Sequence, residues 1–269
     1  MIPRLVATDL DGTLLRSDGT IGARTREAIA RVEARGIPVV MCTARPPRVV
    51  GPLAQATGHR GTAVCSNGSV LWDLHTETPV DSFPFAAQTA REVVARLRDT
   101  LPEAAWAVER HDVFAHEPRY VPHWPVPHDT VIAEIEVLLA EPALQLMVRH
   151  PSLTGDELLA HARELVSGLA ELSHSSSVDA LLEIGAAGVS KASALAVLCE
   201  RHGVDRAEVL AFGDMPNDLA MLRWAGHSVA VANAHAEVME TADEMTSSND
   251  QDGVAQVLER LLERGSLGQ

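Results

Sequence analysis

The stretch VATDLDGTLL, residues 6–15, sets two carboxylates directly after a short apolar run. That run has the pattern of a buried strand, and ligands bind at the carboxyl ends of strands in open α/β sheets. Asp9 and Asp11 are therefore candidates for chemistry at such an edge. An Asp-x-Asp pair also arises easily by chance in an acidic chain, as Asp250 and Asp252 illustrate, and a turn or a helix cap is its simpler interpretation.

The segments that follow alternate between helical and strand patterns. Residues 23–36 have the periodicity of an amphipathic helix that ends at a glycine, and residues 37–44 form a second apolar strand. A further helix and strand come next, and residues 67–80 then alternate after an Asn-Gly pair, which is typical of a hairpin turn. This βαβ opening predicts a parallel sheet with an added β-flap.

The pattern changes in the middle of the chain. From residue 85 to residue 187 the alternation is less regular, and the prolines and histidines are concentrated there. Helix and strand patterns resume after that segment. The sequence thus predicts an α/β fold in which a Rossmann-like parallel-sheet core, residues 1–84 and 188–269, carries an inserted α+β domain at residues 85–187.

Polar side chains also stand at two further strand ends. The residues GDMPNDLAML place Asp214 after an apolar strand, with Asn217 and Asp218 at the start of a helix, and MCTAR places Thr43 after another strand. Each of them alone has a structural explanation, since a carboxylate is favoured at a helix start and a hydroxyl can cap a helix. If the strands are neighbours, these residues form one constellation with Asp9.

Lys191 is the only lysine among the 22 Lys and Arg residues of the chain. It opens the helical pattern of residues 190–203, where the helix dipole disfavours a positive charge. A solvated surface lysine is the simple interpretation. We favour a functional role, because the chain otherwise uses arginine and local rules are broken mainly at working sites.

The motifs DLDGTLL, CTARP, SNGS, GVSKASAL and GDMPNDLAML, in this order, resemble those of the haloacid dehalogenase superfamily. The large insert between the second and the fourth motif resembles the C2 cap of the Cof-type phosphatases. This resemblance implies a Mg²⁺-dependent phosphatase that hydrolyses small phosphomonoesters, sugar phosphates first, through an aspartyl-phosphate intermediate. The insert would then be a cap that sets substrate specificity.

The resemblance also implies a role for each candidate residue. Asp9 would be the nucleophile, Asp11 the general acid and base, and Lys191 the cation beside the phosphoryl group. The implied Mg²⁺ ligands are Asp9, the backbone carbonyl of Asp11, Asp214 and Asp218, the last either binding the ion or orienting the other ligands from behind. The implied phosphate and substrate contacts are Thr43, Ala44, Arg45 and Asn217.

Two alanines depart from the family pattern, in which the positions of Ala44 and Ala192 are commonly glycines. If the first position needed a positive φ, Ala44 would be strained by roughly 1–2 kcal/mol. We expect ordinary backbone conformations and altered loop detail instead. For Arg45 two possibilities stay open, a contact with substrate or cap and a surface salt bridge.

Histidines and aromatic residues are concentrated in one part of the insert. They are Trp106, His111, Phe114, His116, Tyr120, His123, Trp124 and His128. A zinc site is one interpretation, but the spacings fit no familiar ligand pattern. We expect these rings to pack together, either lining the substrate site or forming the small core of the cap.

Composition narrows the choice of partners. The formal charge of −15 repels nucleic acid and anionic lipid surfaces, and no Lys/Arg run offsets it. The three cysteines lack CxxC spacing and suit reduced, buried thiols, and no apolar run is long enough to span a bilayer. We therefore expect a cytoplasmic protein, either a monomer or a homodimer. The resemblance implies that its partner is a small phosphorylated metabolite.

Two other functions stay open at this point. A phosphomutase on the same scaffold would return the phosphoryl group to another hydroxyl instead of releasing inorganic phosphate. A phosphometabolite-binding regulator would use the fold without turnover, although binding alone needs no nucleophile beside an acid and base.

Overall fold

The computed structural model describes residues 2–57, 61–111, 113–122, 126–176 and 180–266. The strands, in chain order, are β1 (Leu5–Thr8), β2 (Val39–Cys42), β3 (Thr62–Cys65), β4 (Val70–Asp73), β5 (Thr78–Ser82), β6 (Ala105–Glu109), β7 (Phe114–His116), β8 (Val131–Ile132), β9 (Gln145–Arg149), β10 (Ala170–Ser173), β11 (Leu181–Ala186), β12 (Val209–Gly213), β13 (His227–Val231) and β14 (Glu244–Thr246). The helices are α1 (Ala23–Glu33), α2 (Pro47–Thr57), α3 (Ala87–Arg98), α4 (Ile135–Leu138), α5 (Gly155–Arg163), α6 (Lys191–His202), α7 (Leu219–Trp224), α8 (Ala236–Thr241) and α9 (Gly253–Ser266).

The first sheet has the strand order β14-β13-β12-β1-β2-β3-β4-β5. The six strands from β14 to β3 run parallel, and β4 and β5 are antiparallel to their neighbours. The central strands β1, β2 and β12 are buried along their whole length, which explains their continuous apolar sequences. The predicted parallel-sheet core with its β-flap is confirmed.

The hairpin of the flap turns at a different place from the one predicted. Strands β4 and β5 pair, but the turn between them is closed by Asp73, whose Oδ1 accepts hydrogen bonds from the backbone N–H groups of His75 and Thr76 at 2.7 and 2.8 Å. Asn67 and Gly68 instead form a 3₁₀ turn directly after β3, with φ of 52° and 103°. The Asn-Gly pair was misassigned because its left-handed preference suits either kind of turn.

The second sheet has the strand order β10-β11-β9-β6-β7-β8 and is antiparallel except between β7 and β8. Helices α3, α4 and α5 contribute to a separate hydrophobic cluster with this sheet. The order of strands within the chain makes the second sheet an insertion into the first, which confirms the predicted α+β insert. The domain limits at residues 85 and 187 stay a prediction.

Two smaller expectations can be compared with the structure, and one strand was missed. Cys42, Cys65 and Cys199 are free and buried, as expected of reduced thiols. None of the helices in the described ranges combines the length and the apolar character that crossing a bilayer requires. Strand β14 at the sheet edge was not predicted, because its three residues are too short for a periodic signal.

Candidate active site

The strand order brings the predicted site residues to one edge of the first sheet. Strand β1 lies between β12 and β2, with Thr8 opposite both Phe212 and Met41. Because parallel strands end at the same edge, Asp9, Thr43 and Asp214 follow three adjacent strand ends. The condition that the strands be neighbours is therefore met.

Lys191 is buried at the centre of this edge, with no exposed side-chain surface. Its Nζ donates hydrogen bonds to Asp9 Oδ1 at 2.6 Å and to Asp218 Oδ1 at 2.7 Å. The start of α6 is held by a capping box, in which Ser190 and Ser193 each accept the other's backbone N–H. The helix start thus aims the lone lysine into the carboxylates, and it is not a surface charge.

The shared burial of these charges shifts their protonation. Burial lowers the pKa of Lys191, but the charges of Asp218 and Asp9 and their hydrogen bonds outweigh it and raise the pKa above its ordinary value. Burial raises the pKa of Asp9 well above its ordinary value against the opposing charge of Lys191. Burial and then the charge of Asp218 raise the pKa of Asp214 to about 7. Three carboxyl groups thus share one ammonium, and a further cation would favour their charged forms.

Three carboxylates stand close enough to share a metal ion. Oxygen atoms of Asp9, Asp214 and Asp218 lie within 4.8 Å of one another. An all-oxygen donor set with excess negative charge suits a hard divalent cation such as Mg²⁺. Gly12 leaves room beside these ligands, since a Cβ there would lie 2.3 Å from Asp214 Oδ2. The residues present therefore fit the predicted ion.

Within this group the three aspartates are held differently. Asp218 accepts Lys191 on Oδ1, and its Oδ2 accepts the backbone N–H groups of Asp214 and Met215 at 3.0 and 3.2 Å. Among the described residues, the Asp214 carboxylate accepts only the Thr13 hydroxyl, at 2.7 Å, on one of its oxygens. Asp218 has both oxygens engaged by protein donors, whereas Asp214 keeps one free for a ligand.

Asp11 is paired with Arg45 in a bidentate ion pair. Arg45 Nε donates to Asp11 Oδ2 at 2.7 Å, and its terminal nitrogen donates to Asp11 Oδ1 at 2.6 Å. The Asp11 side chain is 43% exposed and the Arg45 side chain 12%. In the structure Arg45 forms a salt bridge within the cavity, and its partner is the predicted acid and base itself.

The predicted phosphate contacts form the loop after β2 and the turn facing it. Thr43 is buried, and its Oγ1 accepts the backbone N–H of Arg45 at 3.0 Å. Ala44 is not among the positive-φ residues of the described chain, so the expected ordinary conformation is confirmed there. Asn217 donates to Asn67 Oδ1 at 3.0 Å, while its own buried Oδ1 has no hydrogen-bond partner.

A cavity of about 290 Å³ lies over this edge, between the two sheets. Asp9, Asp11, Ala44, Arg45 and Asn217 line its floor. A depression of about 1050 Å³ is larger, but it lies around the starts of β1, β2 and β3 and holds none of the predicted site residues. The chemistry therefore places the site in the smaller cavity.

Three further residues that line the cavity were not predicted from the sequence: Arg48, Glu109 and Glu183. Arg48 of α2 makes a bidentate pair with Glu109 of β6 at 3.1 and 2.7 Å. Glu183 of β11 accepts Asn67 Nδ2 at 3.0 Å. Arg48 lies close to Arg45 in sequence, and this closeness could have indicated it as a site residue. Nothing in the sequence indicated its partner Glu109, which lies in the insert.

The described histidines and aromatic residues of the insert lie in several different places. Phe114 and Tyr120 line the cavity, and His116 packs against both rings at centroid distances of 5.7 and 5.8 Å. Trp106 is buried in the hydrophobic cluster of the second sheet. His111 stacks on Trp72 and His128 is exposed, while His123 and Trp124 lie outside the described residues. In the described part of the chain no zinc-like group of histidines occurs.

Comparison with known proteins gives one consistent family. The model of the haloacid dehalogenase-like hydrolases matches residues 6–258. The pyridoxal phosphate phosphatase YbhA of Escherichia coli is 31% identical, with 96% of this chain and 98% of that protein covered. The 5-amino-6-(5-phospho-D-ribitylamino)uracil phosphatase YcsE of Bacillus subtilis is 29% identical, with 95% and 94% covered.

Solved structures agree in fold. The crystal structure of SMU.1108c from Streptococcus mutans has a TM-score of 0.84 at 22% identity and covers 97% of this chain and 99% of that one. A haloacid dehalogenase-like hydrolase from B. subtilis has a TM-score of 0.80 at 23% identity, with 95% and 99% covered. The motifs, the sheet order and these matches together make the chain a member of the haloacid dehalogenase-like hydrolase family, as its sequence predicted.

Proposed function

We propose that the protein is a Mg²⁺-dependent phosphatase that hydrolyses small phosphomonoesters through an aspartyl-phosphate on Asp9. The observation that carries the proposal is the buried Lys191 ammonium, 2.6 Å from Asp9 and 2.7 Å from Asp218, in a group of three carboxylates. Such a group is costly to bury and needs a function to explain it. Bound Mg²⁺ would be held by Asp9, the Asp11 carbonyl and Asp214, and would neutralise charge on the phosphoryl oxygens.

In the first step an Asp9 oxygen attacks phosphorus, and the P–O bond to the leaving group breaks. Lys191 remains beside that carboxylate and offsets the repulsion between it and the incoming dianion. Asp218 accepts Lys191 and two backbone N–H groups, and we assign it the role of orienting the lysine and the loop that carries Asp214. Thr43, the Ala44 amide and Asn217 would donate to the phosphoryl oxygens.

Asp11 donates a proton to the departing alkoxide and later takes one from the water that hydrolyses the aspartyl-phosphate. Its carboxylate must give up the pair with Arg45 before it can carry that proton. We therefore assign Arg45 an exchange of partners, from Asp11 to the phosphoryl group, when substrate enters. A guanidinium binds carboxylate and phosphoryl oxygens with the same bidentate geometry, which makes the exchange feasible.

The substrate class rests on the cavity and on the relatives. A volume of about 290 Å³ admits a small metabolite and excludes a large one. Relatives that match nearly the whole chain are named as phosphatases of pyridoxal phosphate, of 5-amino-6-(5-phospho-D-ribitylamino)uracil and of phosphoglycolate. We propose sugar phosphates as the first class to test, with the insert acting as the cap that selects the leaving group.

The test is phosphate release from a panel of phosphomonoesters with and without Mg²⁺. We expect turnover that a chelator abolishes, and Asp9→Asn should lower kcat by several powers of ten, because an amide is a poor nucleophile. Asp99→Asn, on an exposed residue at the end of α3, is the matched control. Transfer of phosphate to a second hydroxyl would indicate a phosphomutase, and binding without turnover would indicate a regulator.

A further inference from the structure

Arg149 is the last residue of β9 and lines the cavity from the wall opposite Asp9. Three guanidinium groups line this cavity, and two of them have carboxylate partners. Arg45 is paired with Asp11, and Arg48 is paired with Glu109. Arg149 has no carboxylate partner within the described residues, and its buried Nε has no hydrogen bond.

The surroundings of Arg149 keep its charge in the cavity. Its guanidinium lies 5.8 Å from the centre of the Tyr120 ring, and Met147 and Leu181 line the same wall. The Tyr120 ring can hold the guanidinium in place and its hydroxyl offers a neutral hydrogen-bond acceptor, but it supplies no negative charge to balance the cation. A partly buried cation held in this way is poised for an external acceptor.

The acidic groups on the same wall do not balance the positive charge of Arg149. Both Glu109 oxygens accept from Arg48. Glu183 accepts Ser175 on Oε1 and Asn67 on Oε2, at 3.1 and 3.0 Å. Among the described residues of this wall, Arg149 is therefore a cation without an acidic partner.

We propose that Arg149 binds a second anionic group of the substrate, a carboxylate or a second phosphoryl group, while the phosphoryl group to be removed lies on Asp9. This inference rests on the proposed phosphatase function and narrows its substrate class to phosphomonoesters with a further anion on the leaving group. Arginine forms bidentate hydrogen bonds with either kind of anion. A neutral polyol phosphate would leave the buried Nε unpartnered.

Two matched pairs of esters test it, with kcat/KM measured in Mg²⁺. The first is 3-phosphoglycerate against glycerol 3-phosphate, which differ in one carboxylate, and the second is fructose 1,6-bisphosphate against fructose 6-phosphate. We expect the wild-type protein to prefer the more anionic member of one pair by about tenfold or more, since a charged hydrogen-bonded pair contributes that much. The pair that shows the preference identifies the anion as a carboxylate or a phosphoryl group.

The variants are Arg149→Gln, Arg149→Lys and, as the control, Arg163→Gln on the exposed surface of α5. Arg149→Gln should abolish the preference by lowering kcat/KM for the anionic ester about tenfold more than for the neutral one, whereas Arg149→Lys should retain part of the preference. The control should retain all of it. Melting temperatures confirm that each variant is folded.

The outcomes separate this inference from the proposed function. Turnover with equal kcat/KM within both pairs, or a preference that survives Arg149→Gln, overturns the inference and leaves the phosphatase proposal standing. Absence of turnover on every ester overturns the phosphatase proposal. In that case calorimetric Kd values for the same four esters decide: about tenfold tighter binding of an anionic member that Arg149→Gln removes supports the role of Arg149, and equal Kd values overturn it.

Discussion

At the scale of single residues, Lys191 occupies a place that arginine cannot fill. It has two carboxylate acceptors at hydrogen-bond distance, Asp9 and Asp218, and no exposed surface. An ammonium meets both with a single nitrogen, whereas a guanidinium spreads its charge over a plane. All the other Lys and Arg residues of the chain are arginines, and its one lysine lies here.

We predict that Lys191→Arg lowers kcat/KM at least about tenfold, because the larger group displaces Asp9 from its position for attack. Lys191→Ala should be worse and should also unfold at a lower temperature, since removal of one partner from a buried ion pair costs about 3–5 kcal/mol. Steady-state kinetics and thermal unfolding of both variants provide the check. A Lys191→Arg protein with wild-type kcat/KM would contradict the proposed role.

Whether a site residue could be predicted from the sequence depends on what fixes its position. Asp9, Thr43 and Asp214 were predictable because buried strands end just before them and parallel strands end at one edge. The partners of Arg45 and Arg48 were not, because they depend on where side chains point across a loop and across two domains. Sequence spacing carries no information on such directions.

At the scale of elements, the loop after β1 depends on a glycine with positive φ. Gly12 and Gly19 both have it, at 82° and 78°, but only Gly12 faces Asp214, while a Cβ at Gly19 would meet nothing within 4 Å. We predict that Gly19→Ala costs roughly 1–2 kcal/mol of stability and leaves activity intact. Gly12→Ala should in addition displace Asp214 and raise the Mg²⁺ concentration needed for half-maximal activity. Equal Mg²⁺ dependence of the two variants would exclude the clash as an influence on the metal site.

The contact between α2 and β6 predicts a pH dependence of stability. Burial raises the pKa of Glu109 from 4.5 to about 7, although the hydrogen bond and the charge of Arg48 oppose the shift. Because the folded state binds the proton more tightly than the unfolded one, the stabilisation is complete below pH 4.5 and is lost as pH rises through about 7.

We therefore expect the melting temperature of the metal-free protein to fall more steeply between about pH 5 and about pH 8 in wild type than in Glu109→Gln. Glu92→Gln, in the exposed pair with Arg96, is the control and should keep the wild-type slope. Thermal unfolding at several pH values in a chelating buffer measures both. A Glu109→Gln slope equal to that of wild type would mean that the carboxyl titrates alike in both states.

At the scale of the whole molecule, each sheet has its own hydrophobic cluster. The cluster of the first sheet takes Leu144 from the insert and otherwise draws on residues of the first sheet and its helices. The cluster of the second sheet draws on α3 to α5 and β6 to β11. The two parts meet through polar contacts around the cavity, among them Arg48 with Glu109 and Asn67 with Glu183.

We predict that a chain in which a short linker replaces residues 86–186 folds, binds Mg²⁺ and loses selectivity among phosphomonoesters. The first sheet keeps nearly all of its own core, whereas the wall that contacts the leaving group is removed. Circular dichroism, Mg²⁺ titration and kcat/KM over the ester panel measure the three parts. If the shortened chain ranked the esters as the intact protein does, selection by the insert would be disproved.

The overall architecture was the most predictable level, because alternating helices and strands admit few topologies. The insert was recognisable where the alternation stopped. The shape of the cavity between the two sheets was not, since it depends on how two separately folded layers dock. Glu109, for example, acquires its partner Arg48 only from that docking.

The burial of Lys191 also determines how the protein reacts with amine-reactive reagents. Amine-reactive dyes, biotin esters and cross-linkers attach to exposed lysines, and the folded protein presents none, because its single lysine has no exposed surface. Acylation of Lys191 therefore requires the chain to open. Mass spectrometry after a pulse of such a reagent would measure the fraction of molecules in which Lys191 had become accessible. Acylation of this one side chain would therefore report unfolding.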